Sequence, residues 1–303
     1  MNESISKIWK WQEWKISWSL SKPDNPNNIN LLLIHGFGAN KKHWRNNQKF
    51  LGKFFNCYAI DLLGFGESSQ PYALLDYESP KKNSLKYSFD TWGNQIVEFC
   101  EEIIQEPVYL IGNSIGGIVS LKAAQMLEEK SSGIILIDCA QRTMDDKRLK
   151  KGDILMNLLR PLLKTLVRQR IISNILFKSA ANPNTIKKIL EQAYPSGENI
   201  DDELIEILYT PSQRKNSPEA FRGFINIFDD YLATDLFKTI SKDIHLIWGE
   251  KDPWESLKEA EQWKKEFDNI RSLNIIRGAG HCPHDEKPQE TNNLICKIIQ
   301  ETK

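Results

Sequence analysis

The sequence predicts an α/β fold in which helices cover both faces of a mostly parallel central sheet and a helical cap is inserted between two strands. Short apolar runs alternate with longer amphipathic stretches along much of the chain, which is the rhythm of parallel strands and their covering helices. Most of these runs end in a glycine or a polar loop. The stretch 142–231, in contrast, contains no convincing strand, and its prolines divide it into several helices.

The predicted strands are short and apolar, and the first of them alternates as a half-exposed strand does. They lie at 14–20, 29–34, 57–60, 108–111, 134–137, 244–248 and 273–276. Helices are predicted at 89–104, 115–128, 256–267 and 290–299. The polar segment 72–86 is expected to form an exposed loop. At 303 residues the chain is long enough for a large core with an insertion. We assign 1–141 and 236–303 to the core and 142–235 to the helical cap.

The first part of the cap carries an apolar stripe at helical spacing with basic residues around it. The stripe consists of Ile154, Leu155, Leu158, Leu159, Leu162, Leu163, Leu166 and Val167, and the basic residues are Lys147, Arg148, Lys150, Lys151, Arg160, Lys164, Arg168 and Arg170. Pro161 is expected to kink or interrupt the helix. One interpretation is a helix that packs on the core and turns its charged face to solvent. The other is an interfacial helix that meets an anionic membrane and admits a lipid-like substrate. Both can hold at once.

Composition excludes several classes of protein. Lys plus Arg and Asp plus Glu both number 40, so the formal charge is zero and no nucleic-acid partner is expected. The five cysteines, an odd number without metal-site spacing, are expected to be reduced thiols. The first twenty residues mix Trp with Lys and Glu and do not resemble a secretory signal. No apolar run reaches the roughly 18 residues of a spanning helix.

The strongest chemical signal is the segment from Gly112 to Gly117, which reads G-N-S-I-G-G. It follows a predicted strand and opens a predicted helix, the context that a G-x-S-x-G nucleophile elbow requires. Ser114 is therefore the predicted nucleophile. Side chains at Gly112 and Gly116 would collide with neighbouring backbone in such a strained turn. The helix N-terminus below the serine favours developing negative charge.

A second loop supplies the predicted oxyanion hole. The segment 35–38 reads H-G-F-G and follows an earlier strand, so the backbone N–H groups of Phe37 and Ile115 are the candidate donors. His35 is expected to support this loop and not to act as a base. The segment D-L-L-G-F-G-E-S, which begins at Asp61, is interpreted as a structural turn.

The predicted base is His281, which follows the last strand in a G-A-G-H segment. The predicted acid is Asp252, because the order Ser, Asp, His is that of the α/β-hydrolase fold. Asp138, at the end of the strand 134–137, is a rival acid, although we prefer Asp252. His284 is expected to be a surface histidine or to lie just behind the catalytic residues. We expect no metal site and no cofactor.

Several segments of the chain resemble the chlorophyll dephytylase family, which comprises plant chloroplast enzymes and cyanobacterial relatives. These are the elbow at 113–117 and the segments 35–40, 43–45, 248–255 and 280–288; parts of the cap are similar as well. Pheophytinase is a close neighbour that shares the segment type at 280–286. The resemblance implies that the phytyl ester of chlorophyll is hydrolysed to chlorophyllide and phytol, with Ser114, Asp252 and His281 as the triad.

The resemblance also implies a small hydrophobic ester substrate, chlorophyll or pheophytin, and a peripheral place on the cytoplasmic side of the thylakoid membrane, in a cyanobacterial setting. The segment 139–142 differs from the plant enzymes, which leaves the preference between chlorophyll and pheophytin open. Another lipid or carboxylic ester hydrolase would use the same triad. A binding or receptor protein on a retained hydrolase scaffold is the alternative from a different class. The sequence does not indicate the oligomeric state.

Overall fold

The computed structural model describes residues 5–24, 28–148 and 154–302, and at 5 and 154–158 it describes the backbone alone. Lys150 and Lys151 of the predicted basic set lie outside this range, as do the side chains of Ile154, Leu155 and Leu158. The strands are β1 (Ile5–Trp11), β2 (Trp14–Ser21), β3 (Asn30–Ile34), β4 (Asn56–Ile60), β5 (Tyr72–Ala73), β6 (Ser84–Leu85), β7 (Val108–Asn113), β8 (Ser131–Ile137), β9 (Ile244–Gly249) and β10 (Ile270–Ile276).

Eight of these strands form one sheet in the order β1-β2-β4-β3-β7-β8-β9-β10. The strands from β4 to β10 in this order run parallel, whereas β2 pairs antiparallel with both β1 and β4. The predicted fold class, with its mostly parallel sheet, is confirmed. The segment 72–86 is largely exposed, as predicted, but it also contains the short strands β5 and β6, which pair with each other.

The helices are α1 (Arg45–Leu51), α2 (Phe89–Phe99), α3 (Ile115–Leu127), α4 (Ile154–Arg168), α5 (Arg170–Ala180), α6 (Pro183–Ala193), α7 (Asp202–Ser212), α8 (Ser217–Ile225), α9 (Ala233–Phe237), α10 (Leu257–Glu266), α11 (Pro283–Glu286) and α12 (Pro288–Glu301). A π-helical turn at Cys100–Ile104 extends α2. Each face of the sheet is covered by its own hydrophobic core, and a smaller buried cluster lies mostly within the cap segment. Helices α2, α3, α9 and α10 contribute to one core, and α1 and α12 contribute to the other.

Strand β3 shows why the central strands read as continuous apolar runs. Leu32 and Ile34 belong to one core and Leu31 and Leu33 to the other, and all four side chains are fully buried. Since helices cover both faces, neither face of the strand can be polar. Such a sheet fixes the carboxyl ends of β3, β7, β8, β9 and β10 along one edge, and the loops that follow these strands carry the candidate catalytic residues.

Helices α4 to α9 lie between β8 and β9 in the chain, and the described residues of this segment contain no strand. Polar caps and a proline define where two of them begin. Asn182 accepts a hydrogen bond from the N–H of Thr185 ahead of Pro183, and Asp201 accepts one from the N–H of Leu204. The proposed core boundary at 235 falls inside α9, whose Leu236 and Phe237 are part of a core. The division into core and cap remains a prediction.

Helix α4 differs from the expected core-packed helix. It runs through Pro161 without interruption. The stripe leucines whose side chains are described, Leu159, Leu162, Leu163 and Leu166, are all exposed. These residues therefore do not pack into the core, and the interpretation as a helix packed by its apolar face is wrong for them. None of the helices within the described residues is long and apolar enough to cross a membrane.

Candidate active site

Ser114 lies at the junction of β7 and α3 with φ of 55° and ψ of −123°, in a region that residues other than glycine seldom occupy. Its own backbone is held by the surrounding loops, since its N–H donates to the carbonyl of Ile137 at 3.0 Å. The elbow has no room for side chains beside the serine. A Cβ on Gly112 would lie 2.1 Å from the carbonyl oxygen of Gly116, and one on Gly116 would lie 2.3 Å from that of Ile34.

The candidate base and acid are in direct contact. Nδ1 of His281 lies 2.8 Å from Oδ2 of Asp252, whose side chain has no exposed surface. The other carboxylate oxygen, Oδ1, accepts the N–H groups of Trp254 and Glu255. Burial acts to raise the pKa of Asp252, but the hydrogen bond and charge of His281 outweigh it and hold that pKa below its ordinary value. An ionised acid requires Nδ1 to donate, which leaves Nε2 of His281 free to accept the serine proton.

Asp138, the rival acid, makes no hydrogen bond to His281 among the described residues. It lies directly after β8 with φ of 43°, and its Oδ1 accepts the N–H of Gly249 at 2.9 Å. Complete burial, followed by the negative charge of Asp252, raises the pKa of Asp138 well above its ordinary value. Its Oδ2 has no donor to accept from. The raised pKa favours the neutral form of Asp138, in which a proton shared with Asp252 would add a hydrogen bond to the acid.

The two candidate oxyanion donors lie beside the serine. The loop after β3 packs on the elbow so closely that a Cβ on Gly36 would lie 3.1 Å from the Cβ of Ser114. Phe37 and Ile115 both line the cavity into which the serine opens. Within the described chain, neither of their backbone N–H groups donates to a protein acceptor. Two unpaired donors at the start of a helix and in an adjoining loop are what a developing oxyanion needs.

His35 has the supporting role that the sequence predicts for it. Its Nδ1 lies 2.8 Å from the carbonyl oxygen of Gly36, and its Nε2 accepts the N–H of Leu62 at 3.0 Å. Burial lowers the pKa of His35 to about 4, so the ring is neutral and occupied on both nitrogens. It stabilises the loop that carries Phe37 and cannot act as the base.

The loop of His281 is attached both to the elbow and to the cap. The side-chain amide of Asn113 donates to the carbonyls of Ile137 and His281, at 3.2 and 3.1 Å. The N–H of His281 donates to the carbonyl of Ala193, at the end of α6, at 2.9 Å. Gly280 makes this approach possible, because a Cβ there would lie 2.2 Å from the same carbonyl oxygen.

Behind this loop lies a buried polar network that the sequence does not reveal. Nε2 of His43 lies 2.7 Å from the hydroxyl of Tyr194, which in turn donates to Asp285 at 3.1 Å. Arg45 completes the network with a hydrogen bond to Asp285 at 2.9 Å. His284 is buried with its ring 4.3 Å from that of Trp44, so the expectation of a surface position is wrong. The network joins α1, α6 and α11 just behind the candidate base.

The serine, the base and both oxyanion donors open into one cavity of about 570 Å³, within the range of small-molecule sites. Its walls are mostly apolar and come largely from the cap. They include Met144, Phe177, Ile186, Ile189, Leu190, Leu208, Phe221 and Phe224. The ring of Phe224 stacks on that of Phe37 with centroids 4.1 Å apart, so α8 packs directly on the oxyanion loop.

Among the polar residues of the cavity wall that sequence reasoning missed, two carry titratable side chains that matter here. His43, treated as an ordinary residue, lines the cavity through the network above. Glu255 also lines it, and burial raises the pKa of Glu255 to about 7 although its Oε2 accepts the N–H of Gln141. Its position three residues after the predicted acid was the available signal. The five cysteines are all free thiols.

A mostly parallel sheet, a strained serine between strand and helix, and an Asp–His pair at one apolar cavity together define the class of serine hydrolases with an α/β fold. The sequence model of the α/β-hydrolase fold family matches residues 29–288, and the chain belongs to this family. The catalytic roles of the individual residues remain predictions.

Relatives and solved structures agree with this membership. The chain is 27% identical to pheophytinase of Arabidopsis thaliana over 93% of its length, and it spans only 64% of that protein. It is 23% identical to lipase 3 of a Moraxella species, covering 89% of this chain and 77% of the lipase. A bacterial membrane phospholipase A superposes with a TM-score of 0.72 at 22% identity, over 99% of this chain and 86% of the other. The last likeness concerns the fold alone.

Proposed function

We propose that the protein is a serine carboxylic ester hydrolase for an ester with a long apolar chain, and that its first candidate substrate is the phytyl ester of chlorophyll. The observation that carries this proposal is the His281–Asp252 pair, whose histidine lines the same mostly apolar cavity as Ser114. The similarity to pheophytinase, whose name states its substrate, supports a phytyl ester. Pheophytin is therefore the second candidate, and other lipid esters are the third.

The proposed mechanism uses the residues that line the cavity and Asp252. Ser114 attacks the ester carbonyl while Nε2 of His281 takes its proton, and Asp252 stabilises the imidazolium that results. The tetrahedral oxyanion accepts hydrogen bonds from the N–H groups of Phe37 and Ile115, each worth roughly 2.7–4 kcal/mol of barrier. His281 then protonates the departing phytol. Water attacks the acyl-enzyme with the same base, releases chlorophyllide and restores the serine. The magnesium of chlorophyll belongs to the substrate.

The first test is product analysis after incubation of the purified protein with detergent-solubilised chlorophyll a and, separately, pheophytin a. We expect chlorophyllide from the first, and none from Ser114→Ala. Ser272→Ala, which removes a hydroxyl on β10 outside the cavity wall, is the matched control and should keep full activity. Pheophorbide from pheophytin alone would move the substrate assignment to the second candidate. Full activity in Ser114→Ala would refute the mechanism.

A second test separates hydrolases from binding proteins on the same scaffold. A fluorophosphonate should label Ser114, because the reagent needs an activated serine and no particular substrate. Labelling of Ser114 without release of phytol from either pigment would support the serine hydrolase proposal and rule out the phytyl ester as its substrate. Absence of labelling in the folded protein would favour a receptor.

A further inference from the structure

The surface of the cap carries a group of exposed apolar side chains that we call the cap patch. It consists of Leu159, Leu162, Leu163 and Leu166 on α4 and Ile171, Ile175 and Leu176 on α5. Leu162 and Leu163 lie three and four residues after Leu159, and Leu166 lies four and three residues after them, so the four share one face of α4. Seven large apolar side chains on two successive helices exceed the scattered exposure that is normal for a surface. The patch is therefore a surface that something covers.

Helix α5, which carries part of the patch, also contributes to the cavity wall. Met144 and Ile189 are exposed and line the cavity as well, so apolar side chains reach from the cavity to the surface. Phe177 of α5 also lines the cavity, on the helix that carries Ile171 and Ile175. A long-chain molecule that enters the cavity from whatever covers the patch would pass along apolar side chains to Ser114.

Charge identifies what covers the patch. Residues 154–190 contain seven Lys or Arg and no Asp or Glu, in a chain whose formal net charge is zero. Arg160 and Lys164 pair with Asp146, and Arg170 pairs with Glu219. The remaining four cations are exposed and have no carboxylate partner within the described residues: Arg168, Lys178, Lys187 and Lys188. Cations without carboxylate partners around an apolar face fit an anionic lipid surface. The leucines would insert among the acyl chains, and the cations would contact the anionic headgroups.

We propose that the cap patch docks the protein onto an anionic lipid bilayer, with the cavity mouth facing the membrane. A second copy of the chain fits less well, because a twofold contact through this patch would bring the same unpaired cations of both copies together. The delivery of substrate from the bilayer rests on the proposed function, whereas docking itself does not.

The experiment measures co-sedimentation of the full chain with vesicles of phosphatidylcholine containing phosphatidylglycerol, and with vesicles of phosphatidylcholine alone. We expect strong binding to the anionic vesicles, weakened by salt. Ile171→Gln with Ile175→Gln alters side chains that are 75% and 62% exposed, so the fold should survive. Binding should fall at least roughly tenfold, because two isoleucines no longer enter the acyl region. The control is Ile8→Gln with Ile275→Gln, at positions 60% and 42% exposed on the two edge strands, and it should bind normally.

Charge is tested by Lys187→Gln with Lys188→Gln, which should lose about fivefold per charge on anionic vesicles only. Lys258→Gln with Lys265→Gln on α10 makes the same change in net charge away from the patch and should have no effect. Absence of binding by the unaltered protein, or equal losses in patch and control variants, would overturn the proposal. So would a dimer that the isoleucine variant dissociates, since the second copy would then cover the patch.

Hydrolysis of a short, water-soluble ester, measured in parallel, separates the two proposals. Activity on the soluble ester without vesicle binding removes docking and keeps the hydrolase. Vesicle binding without esterase activity keeps docking and removes the hydrolase proposal. The soluble activity of each variant also shows that the variant is folded.

Discussion

The protonated state of Asp138 can be tested by replacing one oxygen. In Asp138→Asn, the amide carbonyl can accept the N–H of Gly249 as Oδ1 does now, and the amide NH₂ can donate to Asp252 as the acid proton does. The variant should therefore keep kcat within a few-fold of the unaltered protein. Asp252→Asn removes the charge that orients His281, and a loss of roughly 10⁴ in kcat is expected.

Asp138→Ala gives the intermediate case. It removes one of the four donors to Asp252, the others being His281 and the N–H groups of Trp254 and Glu255. A hydrogen bond to a charged group is worth about 1.5–3 kcal/mol. If all of that appeared in the barrier, kcat would fall roughly 10- to 150-fold. If part of the hydrogen-bond energy is lost from the free energy of unfolding instead, kcat falls by less than this.

The assay is hydrolysis of a short chromogenic ester by the three variants, with thermal unfolding measured for each. The value of kcat should be highest in Asp138→Asn, lower in Asp138→Ala and lowest in Asp252→Asn. A pH profile adds a second readout, since a neutral Asp138 contributes no ionisation that Asp138→Asn could remove. If Asp138→Asn, folded and thermally stable, lost as much activity as Asp252→Asn, Asp138 would be ionised and the assignment of the acid would be wrong.

Three further outcomes are expected. Burial raises the pKa of Glu255 from 4.5 to about 7, so the folded protein holds a proton that the unfolded chain releases, and the free energy of unfolding should fall as pH rises between these values. Urea titrations of Glu255→Gln should show a shallower fall; an identical slope would contradict the assignment. Gly112→Ala should lower the melting temperature strongly, by overpacking worth about 1–3 kcal/mol or more, and an unchanged melting curve would show that the elbow relaxes. Tyr194→Phe leaves the buried network of Asp285 short of a donor and should destabilise by about 1–3 kcal/mol, whereas Tyr209→Phe, whose hydroxyl has no partner within the described chain, should not.

The sequence predicts those parts of the fold that leave a local signature. Strands β3, β7 and β9 are buried on both faces and read as apolar runs, and the elbow needs its glycines at fixed spacing. Strand β1 is not predicted because Ser6, Lys7 and Lys10 interrupt its Ile and Trp residues, so no strict alternation is visible and its strand character depends on pairing with β2.

The remaining features depend on residues that are distant in the chain. The raised pKa of Asp138 arises from its burial and from a carboxylate more than a hundred positions away, and the network of His43 requires Tyr194 of the cap. Periodicity places the leucines of α4 on one face, but it does not indicate whether that face meets protein or a different phase. Only the folded chain distinguishes these cases.

The contact between the cap and the loop of His281 limits how substrate preference can change. The carbonyl of Ala193 holds the backbone of His281, and Gly280 fits against the same oxygen. A cap exchanged for that of a relative would bring new walls to the cavity but would also reposition the imidazole, unless the turn after α6 were retained. Substrate preference can therefore change most freely in α4 and α5, whereas the end of α6 and the part of α8 that packs on Phe37 must be kept together with the catalytic centre.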